Sequence, residues 1–298
     1  MEVRIIVNGK KAGQEAFRRA VSRARAQLHN DISVRVTWEY GDVHRFVNES
    51  IDEGIPRLII AGGDGSVNEA VDALMQHSHS TRPELAIIPM GTANDFATAC
   101  AIPNNYYAAL LFAVENNSVD IDVAKANDRY FINVASGGFG AQVTNDTPVE
   151  LKNFLGGGAY TLTGLVQAIN FKPYAGKLTT PLTRYETNMI VGAICNGRQA
   201  GGGQQLAPNA YLNDGLLDIV ALLEFPISAV NQVITELKDN TIDGEYVMRL
   251  KSAWVEYECE HPGPLNLDGE PYPSRHIRFE VCANELRLVL GPDCPCIV

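Results

Sequence analysis

Arg57-Leu58-Ile59-Ile60-Ala61 runs directly into Gly62-Gly63-Asp64-Gly65-Ser66-Val67-Asn68-Glu69. The apolar pentad predicts a buried strand, and the spacing from Val67 to Gln76 predicts a helix. Between them the glycines allow a turn in which bare amides approach an anion, and the helix N-terminus adds partial positive charge. Strand, glycine turn and helix in that order form a phosphate pocket, with Ser66 and Asn68 as further hydrogen-bonding groups. Asp64 is suited to orient the turn or to sit near ribose, water or metal. A plain tight βα turn would carry the same glycines, so this stretch alone does not decide the function.

The next strand repeats the device. Leu85-Ala86-Ile87-Ile88-Pro89 leads into Met90-Gly91-Thr92-Ala93-Asn94-Asp95-Phe96 and a short helix. Neighbouring parallel strands then present two glycine-containing loops at their carboxyl ends, where open α/β sheets bind ligands. Thr92 is placed to reach a phosphate, and Asn94 or Asp95 to cap the helix. Gly63-x-Gly65-x-x-Asn68 has Asn where a dinucleotide fingerprint needs its third glycine, which disfavours a Rossmann dehydrogenase. No G-x-x-x-x-G-K-[ST] occurs, which excludes a P-loop kinase at the level of motif.

Outward from these loops, short apolar runs alternate with amphipathic stretches through the first 120 residues or so. Strands are predicted at Val3 to Val7, Ser33 to Trp38, Leu58 to Ala61 and Leu85 to Pro89, and helices at Gln14 to Leu28, Asp42 to Glu53, Val67 to Gln76 and Tyr106 to Glu115. Beyond Val119 the chain turns β-rich, at 120–124, 130–135, 189–195, 216–222, 254–259, 265–267, 276–281 and 286–290. Leu151 to Phe171 is the main helical interruption, readable as the wall of a greasy cleft or as an ordinary buried helix. The fold class expected is α/β: an N-terminal three-layer α/β nucleotide-binding domain with a second, mainly β, sandwich-like domain.

Composition narrows the partners. A net charge of −11 over 298 residues and a sequence pI near 5.0 argue against general nucleic-acid affinity. Arg18, Arg19, Arg23 and Arg25 form either a basic patch or a solvated helix face. The six cysteines and six histidines show no metal-ligand spacing, and Cys294-Pro295-Cys296 lacks nearby motif partners. No apolar run is long enough to span a bilayer, and the amino terminus begins with strand-like sequence rather than a signal peptide, so a cytoplasmic protein is expected.

Two later motifs carry acids. Leu265-Asn266-Leu267-Asp268-Gly269-Glu270-Pro271 reads as a β-hairpin corner, and either Asp268 or Glu270 can serve as a base. Tyr211-Leu212-Asn213-Asp214-Gly215-Leu216 reads as a turn that also offers a carboxylate and backbone carbonyls to magnesium or calcium.

With both loops and these motifs in order, the chain resembles the diacylglycerol kinase catalytic family, which also contains sphingosine kinases and bacterial lipid kinases of the YegS type. The resemblance covers essentially the whole chain. The family's GGDGT-x-NE pattern matches Gly62 through Glu69, with Ser66 in place of threonine, and P-x-GT-x-ND matches Pro89 through Asp95. Asn196-Gly197-Arg198, Gly201-Gly202-Gly203, Pro208-Asn209-Ala210, Asn213 through Leu217 and Leu267 through Glu270 follow in the family's order. The nucleotide-binding set is then Gly62, Gly63, Asp64, Gly65, Ser66, Val67, Asn68 and Thr92, to which the resemblance adds Thr37.

The resemblance further implies ATP as phosphate donor, Glu270 as base with Asp268 positioning it or meeting magnesium, and a metal held by Tyr211, Asp214 and Leu216. It implies that nucleotide lies between the two domains and that the carboxyl-terminal end returns to the first, giving residues 1–123 with about 284–298 and residues 124–283. The acceptor expected is a hydroxyl of a glycerol-based lipid, of the diacylglycerol or phosphatidylglycerol class, met by transient attachment to a membrane surface. An NAD kinase-like phosphotransferase shares the GGDG loop and is the nearest rival. A nucleotide-binding regulator without catalysis is the other.

Overall fold

The computed structural model describes residues 1–28, 30–138, 173–239, 244–263 and 265–298. The predicted helix at Leu151 to Phe171 lies outside the described residues. The chain divides into two compact units, Met1–Val123 with Ala283–Val298, and Ala124–Cys282.

In the first unit the order is β1 (Glu2–Val7), α1 (Gly9–Ala12), α2 (Glu15–Gln27), β2 (Asp31–Val36), α3 (Asp42–Asp52), β3 (Arg57–Gly62), α4 (Asp64–Met75), β4 (Glu84–Pro89), α5 (Asp95–Ala99), α6 (Tyr106–Glu115) and the start of β5 (Ser118–Ala126). The strands lie β2-β1-β3-β4, all parallel. Leu288, near the chain's end, pairs in parallel with Leu85 of β4. Going from β1 to β2 and then to β3 reverses the direction of winding, which puts the topological switch point between β1 and β3.

Helix α2 buries Phe17, Ala20, Val21 and Ala24, the i, i+3, i+4, i+7 stripe of an amphipathic helix. With Ala109, Leu110 and Ala113 of α6 it covers the sheet face formed by Val3, Ile5, Val7, Ile59 and Ile88. Alternation sends Ile6, Leu58, Ile60 and Ile87 to the other face, where α3 and α4 pack, completing three layers. Each such side chain contributes about 1.5–3 kcal/mol of burial. Arg57 ties the layers together: its guanidinium reaches Glu84 at 2.5 Å and the carbonyls of Ala113, Val114 and Asn116 at the end of α6.

The second unit is mainly β. It contains the end of β5, β6 (Arg129–Phe131), β7 (Val134–Gly138), β8 (Tyr174–Thr179), β9 (Arg184–Cys195), β10 (Gln199–Ala200), β11 (Gln204–Gln205), β12 (Leu217–Leu223) and α7 (Val230–Lys238). It continues with β13 (Val247–Ser252), β14 (Trp254–Gly263), β15 (Leu265–Leu267), β16 (Glu270–Pro271) and β17 (Ser274–Val289), whose last residues belong to the first unit. The long β9 organises it, pairing antiparallel with β8, β7 and β12. Strand β14 joins β8 to β17, and β15 joins β7 to β16. Leu178, Ile219, Val255, Ile277 and Phe279 fill its core.

Several sequence boundaries shift. Strand β2 ends at Val36 rather than Trp38, because the Asp42 carboxylate draws the N–H groups of Trp38 and Glu39 out of the sheet. Helix α4 begins at Asp64 rather than Val67, so two of the loop's glycines, Gly62 and Gly63, precede the helix and Gly65 lies inside its first turn. The stretches 276–281 and 286–290 are one strand, and 130–135 is two. Among the arginines of α2, Arg23 stacks 4.0 Å over the Tyr107 ring and Arg25 donates to the Ile32 carbonyl. Among the described residues no helix is long and apolar enough to cross a membrane.

Candidate active site

The parallel register sets Gly62 opposite Pro89, and the Met90 N–H donates to the Gly62 carbonyl at 2.8 Å. The two glycine loops therefore emerge side by side. They touch through bare backbone: a Cβ on Gly63 would lie 3.0 Å from the Gly91 Cα, and one on Gly91 would lie 2.6 Å from the Gly63 Cα. The N-cap of α4 is Gly63, which has no side chain to offer it, so first-turn amides that a helix cannot satisfy internally are open to another partner. Gly65 is exposed, and among the described residues nothing outside its own helix backbone and chain neighbours lies within 4 Å of where its Cβ would stand.

Not every predicted group faces this cradle. The Asp64 carboxylate accepts the Phe96 N–H at 3.4 Å, joining the first loop to α5, and burial pushes its carboxyl above the usual range despite that bond. Asp64 thus orients the turn, and it supplies the α5 cap expected from Asn94 or Asp95. Asn94 adopts left-handed backbone with φ 52° and its Oδ1 accepts the Gly91 N–H at 2.7 Å, so that amide is already engaged. Asn68 is 3% exposed, and among the described residues its Oδ1 has no hydrogen-bond partner. Val67 is buried, Ser66 packs against Gly62, and Thr92 is exposed.

Thr37 stands at the switch point. Its N–H donates to the Val7 carbonyl at 3.0 Å, and its hydroxyl accepts the Gly9 N–H at 3.1 Å. The Asn8 N–H donates to Ala61, beside the glycine loop, at 3.1 Å. Asn8 and Gly9 went unremarked in the sequence, since a lone Asn-Gly after a strand signals only a turn. Asp42 fixes the same corner, its carboxyl lowered to about 2 by the Trp38 N–H, Arg45 and the Glu39 N–H.

In the second unit, Asp268 and Gly269 have φ of 48° and 91° and join β15 to β16, the hairpin corner that Asp-Gly predicts. The Asp268 carboxylate accepts from the N–H groups of Ile132 (2.8 Å), Asn133 (3.1 Å) and Val134 (2.7 Å). Its position is that of a clamp on the β6–β7 connection. Asn133 in turn accepts, through its carbonyl, the N–H groups of Asn196 and Gly197 at 2.9 Å each. Two motifs far apart in sequence thus converge on one segment, and Glu270 projects from the adjoining strand as an exposed carboxylate.

The Asp214 loop is anchored next to this network. Arg198 Nε donates to the Ala210 carbonyl at 2.7 Å and its guanidinium lies over the Tyr211 ring. Asp214 Oδ1 accepts the Leu216 N–H at 3.1 Å, while Lys251 Nζ lies 3.1 Å from Asp214 Oδ2 and 3.0 Å from Asp218 Oδ2. The latter contact is an ion pair. Burial, with Asp214 adding to it, raises the Asp218 carboxyl against the pull of Lys251. Burial would lower Lys251, but the two carboxylates outweigh it and hold it protonated. Carboxylate oxygens of Asp214 and Asp218 and backbone carbonyls such as those of Tyr211 and Leu216 are of the hard kind that magnesium or calcium takes, and Lys251 is a resident cation beside the two carboxylates.

A cavity of about 60 Å³ lies within the second unit, lined by Leu178, Ile194, Val255, Leu265 and Phe279. Tyr257 also lines it; among the described residues its buried hydroxyl has no hydrogen-bond partner, and burial pushes it up to about 12.

Comparison with known proteins places these features in context. Residues 2–126 match the family model described as diacylglycerol kinase catalytic domain, and residues 133–290 match that described as YegS C-terminal NAD kinase beta sandwich-like domain. The chain is 48% identical over 297 residues to a Shewanella frigidimarina protein named "Probable lipid kinase YegS-like", covering 99% of this chain and 96% of that one. A Chromohalobacter salexigens protein of the same name is 48% identical over 285 residues, covering 95% and 91%. Among solved structures, a "putative diacylglycerol kinase" from Bacillus anthracis str. Sterne superposes with a TM-score of 0.81 at 27% identity, covering 98% of each chain.

Proposed function

Since the chain belongs to the diacylglycerol kinase catalytic family and carries the YegS-type carboxyl-terminal domain, we propose that it is an ATP- and magnesium-dependent lipid kinase acting on a hydroxyl of a glycerol-based lipid. The observation that carries this reading is the backbone apposition of Gly63 and Gly91 beside the uncapped N-terminus of α4. Amides with no Cβ in the way, backed by a helix dipole, suit a polyphosphate chain.

The amides of Gly63, Gly65 and Ser66 hold phosphate oxygens, with Thr92 closing the exposed side and Thr37 fixing the switch-point corner. Asp64 and Asn94 keep the two loops in register. Glu270 takes the proton from the acceptor hydroxyl, and Asp268 fixes the turn from which Glu270 projects. A divalent cation held by Tyr211, Asp214 and Leu216 supplies charge neutralisation for phosphate oxygens when bound. The lipid kinase names of the relatives support an acceptor with an alkyl portion.

The test is transfer from labelled ATP, with magnesium, by the purified full chain to a micellar panel of diacylglycerol, phosphatidylglycerol and a sphingoid base, beside NAD as soluble acceptor. Label in a glycerol lipid is the expected result. Label confined to NAD would favour the NAD kinase-like reading, and ATP binding with no transfer to any acceptor would favour a regulator.

A further inference from the structure

Cys294-Pro295-Cys296 has no partner at ligand spacing in the sequence, yet the fold brings it to Cys100, the residue that ends α5. The three Sγ atoms all lie within 4.8 Å of one another. Cys100 and Cys296 are each 1% exposed and Cys294 is 9% exposed, and none is in a disulfide. Cys296 Sγ donates to the Ala99 carbonyl at 3.1 Å. The whole cluster belongs to the first unit.

Burial alone is unremarkable, because cysteine packs as a small apolar residue. Convergence is different: three sulfurs from two segments far apart in sequence meet at one point. A zinc-sulfur bond of about 2.3 Å sets tetrahedral sulfurs about 3.8 Å apart, so the cluster needs to contract by only about 1 Å. A disulfide bond of about 2.05 Å demands a larger approach and leaves the third thiol over. The proline between Cys294 and Cys296 restricts the backbone and limits the ordering needed on binding.

We propose that Cys100, Cys294 and Cys296 form a closed thiolate site for one borderline-soft divalent ion of the zinc class. The Ala99 carbonyl is the oxygen at hand for a fourth position. Binding is a proton exchange without redox change: each thiol gives its proton to solvent as its sulfur pair bonds the metal. The ion would staple the chain's end to α5, whose opposite end is held by Asp64 and adjoins the Gly91 turn. It thereby supports the frame of the glycine loops from behind without touching nucleotide.

The experiment titrates the reduced 298-residue chain with cobalt(II) under excess magnesium, which occupies hard oxygen sites. One tightly held cobalt with intense sulfur-to-metal charge-transfer absorption, displaced by equimolar zinc, is expected. Cys100→Ser and Cys296→Ser should abolish that absorption, and Cys259→Ala should leave it unchanged. Zinc should also raise the melting temperature of the parent and not of Cys100→Ser. If Cys100→Ser fails to fold by circular dichroism, Cys294→Ala decides by the same absorption. Absence of the charge-transfer band in the parent overturns the site, as does its persistence in the cluster variants or its loss in Cys259→Ala.

Discussion

Gly63 and Gly91 approach so closely that a methyl group on Gly91 would stand 2.6 Å from the Gly63 Cα. The contact follows from strand pairing, since β3 and β4 are neighbours whose ends are aligned by the Met90 to Gly62 hydrogen bond. Gly91→Ala should therefore force the loops apart. A destabilisation of about 1–3 kcal/mol is expected for such overpacking, read as a lower melting temperature, with weakened ATP binding by calorimetry.

Gly65→Ala separates binding from folding. Its position is helical and open, so alanine should hold stability or raise it by up to about 1 kcal/mol. The methyl group nevertheless takes up open space beside the phosphates proposed to lie against the first-turn amides. ATP affinity should fall by roughly tenfold, about 1.4 kcal/mol, while the melting temperature does not drop.

Asp268 and Glu270 should part company under mutation. Asp268→Asn exchanges a carboxylate that serves three N–H groups for an amide that brings donors of its own. A loss of about 1.5–3 kcal/mol is expected, the scale of one charged hydrogen bond. Glu270→Gln, on an exposed strand, should change stability by less than about 0.5 kcal/mol while lowering kcat about 10²- to 10⁴-fold. Denaturant titration and steady-state kinetics on the same preparations read both.

Acid should weaken the first unit through Asp42. Its carboxyl titrates at about 2 when folded against 3.8 as the reference, so the folded state binds fewer protons between these values. Its stabilisation is full above the unfolded value and is lost as pH falls through the folded one. Asp42→Asn should melt lower than the parent at neutral pH, with the gap closing between about pH 4 and pH 2. A gap that stayed constant across that window would remove Asp42 from the account.

Lys251→Met should leave Asp214 and Asp218 without their resident cation. Magnesium or calcium affinity should rise roughly tenfold, on the order of 1.4 kcal/mol, and metal-free stability should fall. Calorimetric titration of the metal alone checks the first, and thermal melting in chelator the second.

Much of the first unit was legible because its signals are local. Residues 57 to 69 state strand, turn and helix within one window, and the α2 stripe of Phe17, Val21 and Ala24 reads directly as a helix face. What the sequence hides is partnership at a distance. Asp268 clamps residues 132–134, and no nearby pattern marks them. Lys251 looks like any charged strand residue until β13 pairs with β12 and brings it to Asp218. The capping of α5 by Asp64 depends on a neighbouring strand's loop, so propensity pointed to Asn94 and Asp95 instead.

On the proposed function, the amides beside Gly63 and in the first turn of α4 hold the phosphates of ATP. Titrating the chain, labelled with ¹⁵N-glycine, against a non-hydrolysable ATP analogue observes those amides directly. Saturable shifts at Gly63 and Gly65 are predicted, with Gly91 moving less because its N–H is held by Asn94. Unmoved Gly63 and Gly65 resonances at saturating analogue, with shifts elsewhere, would contradict the account.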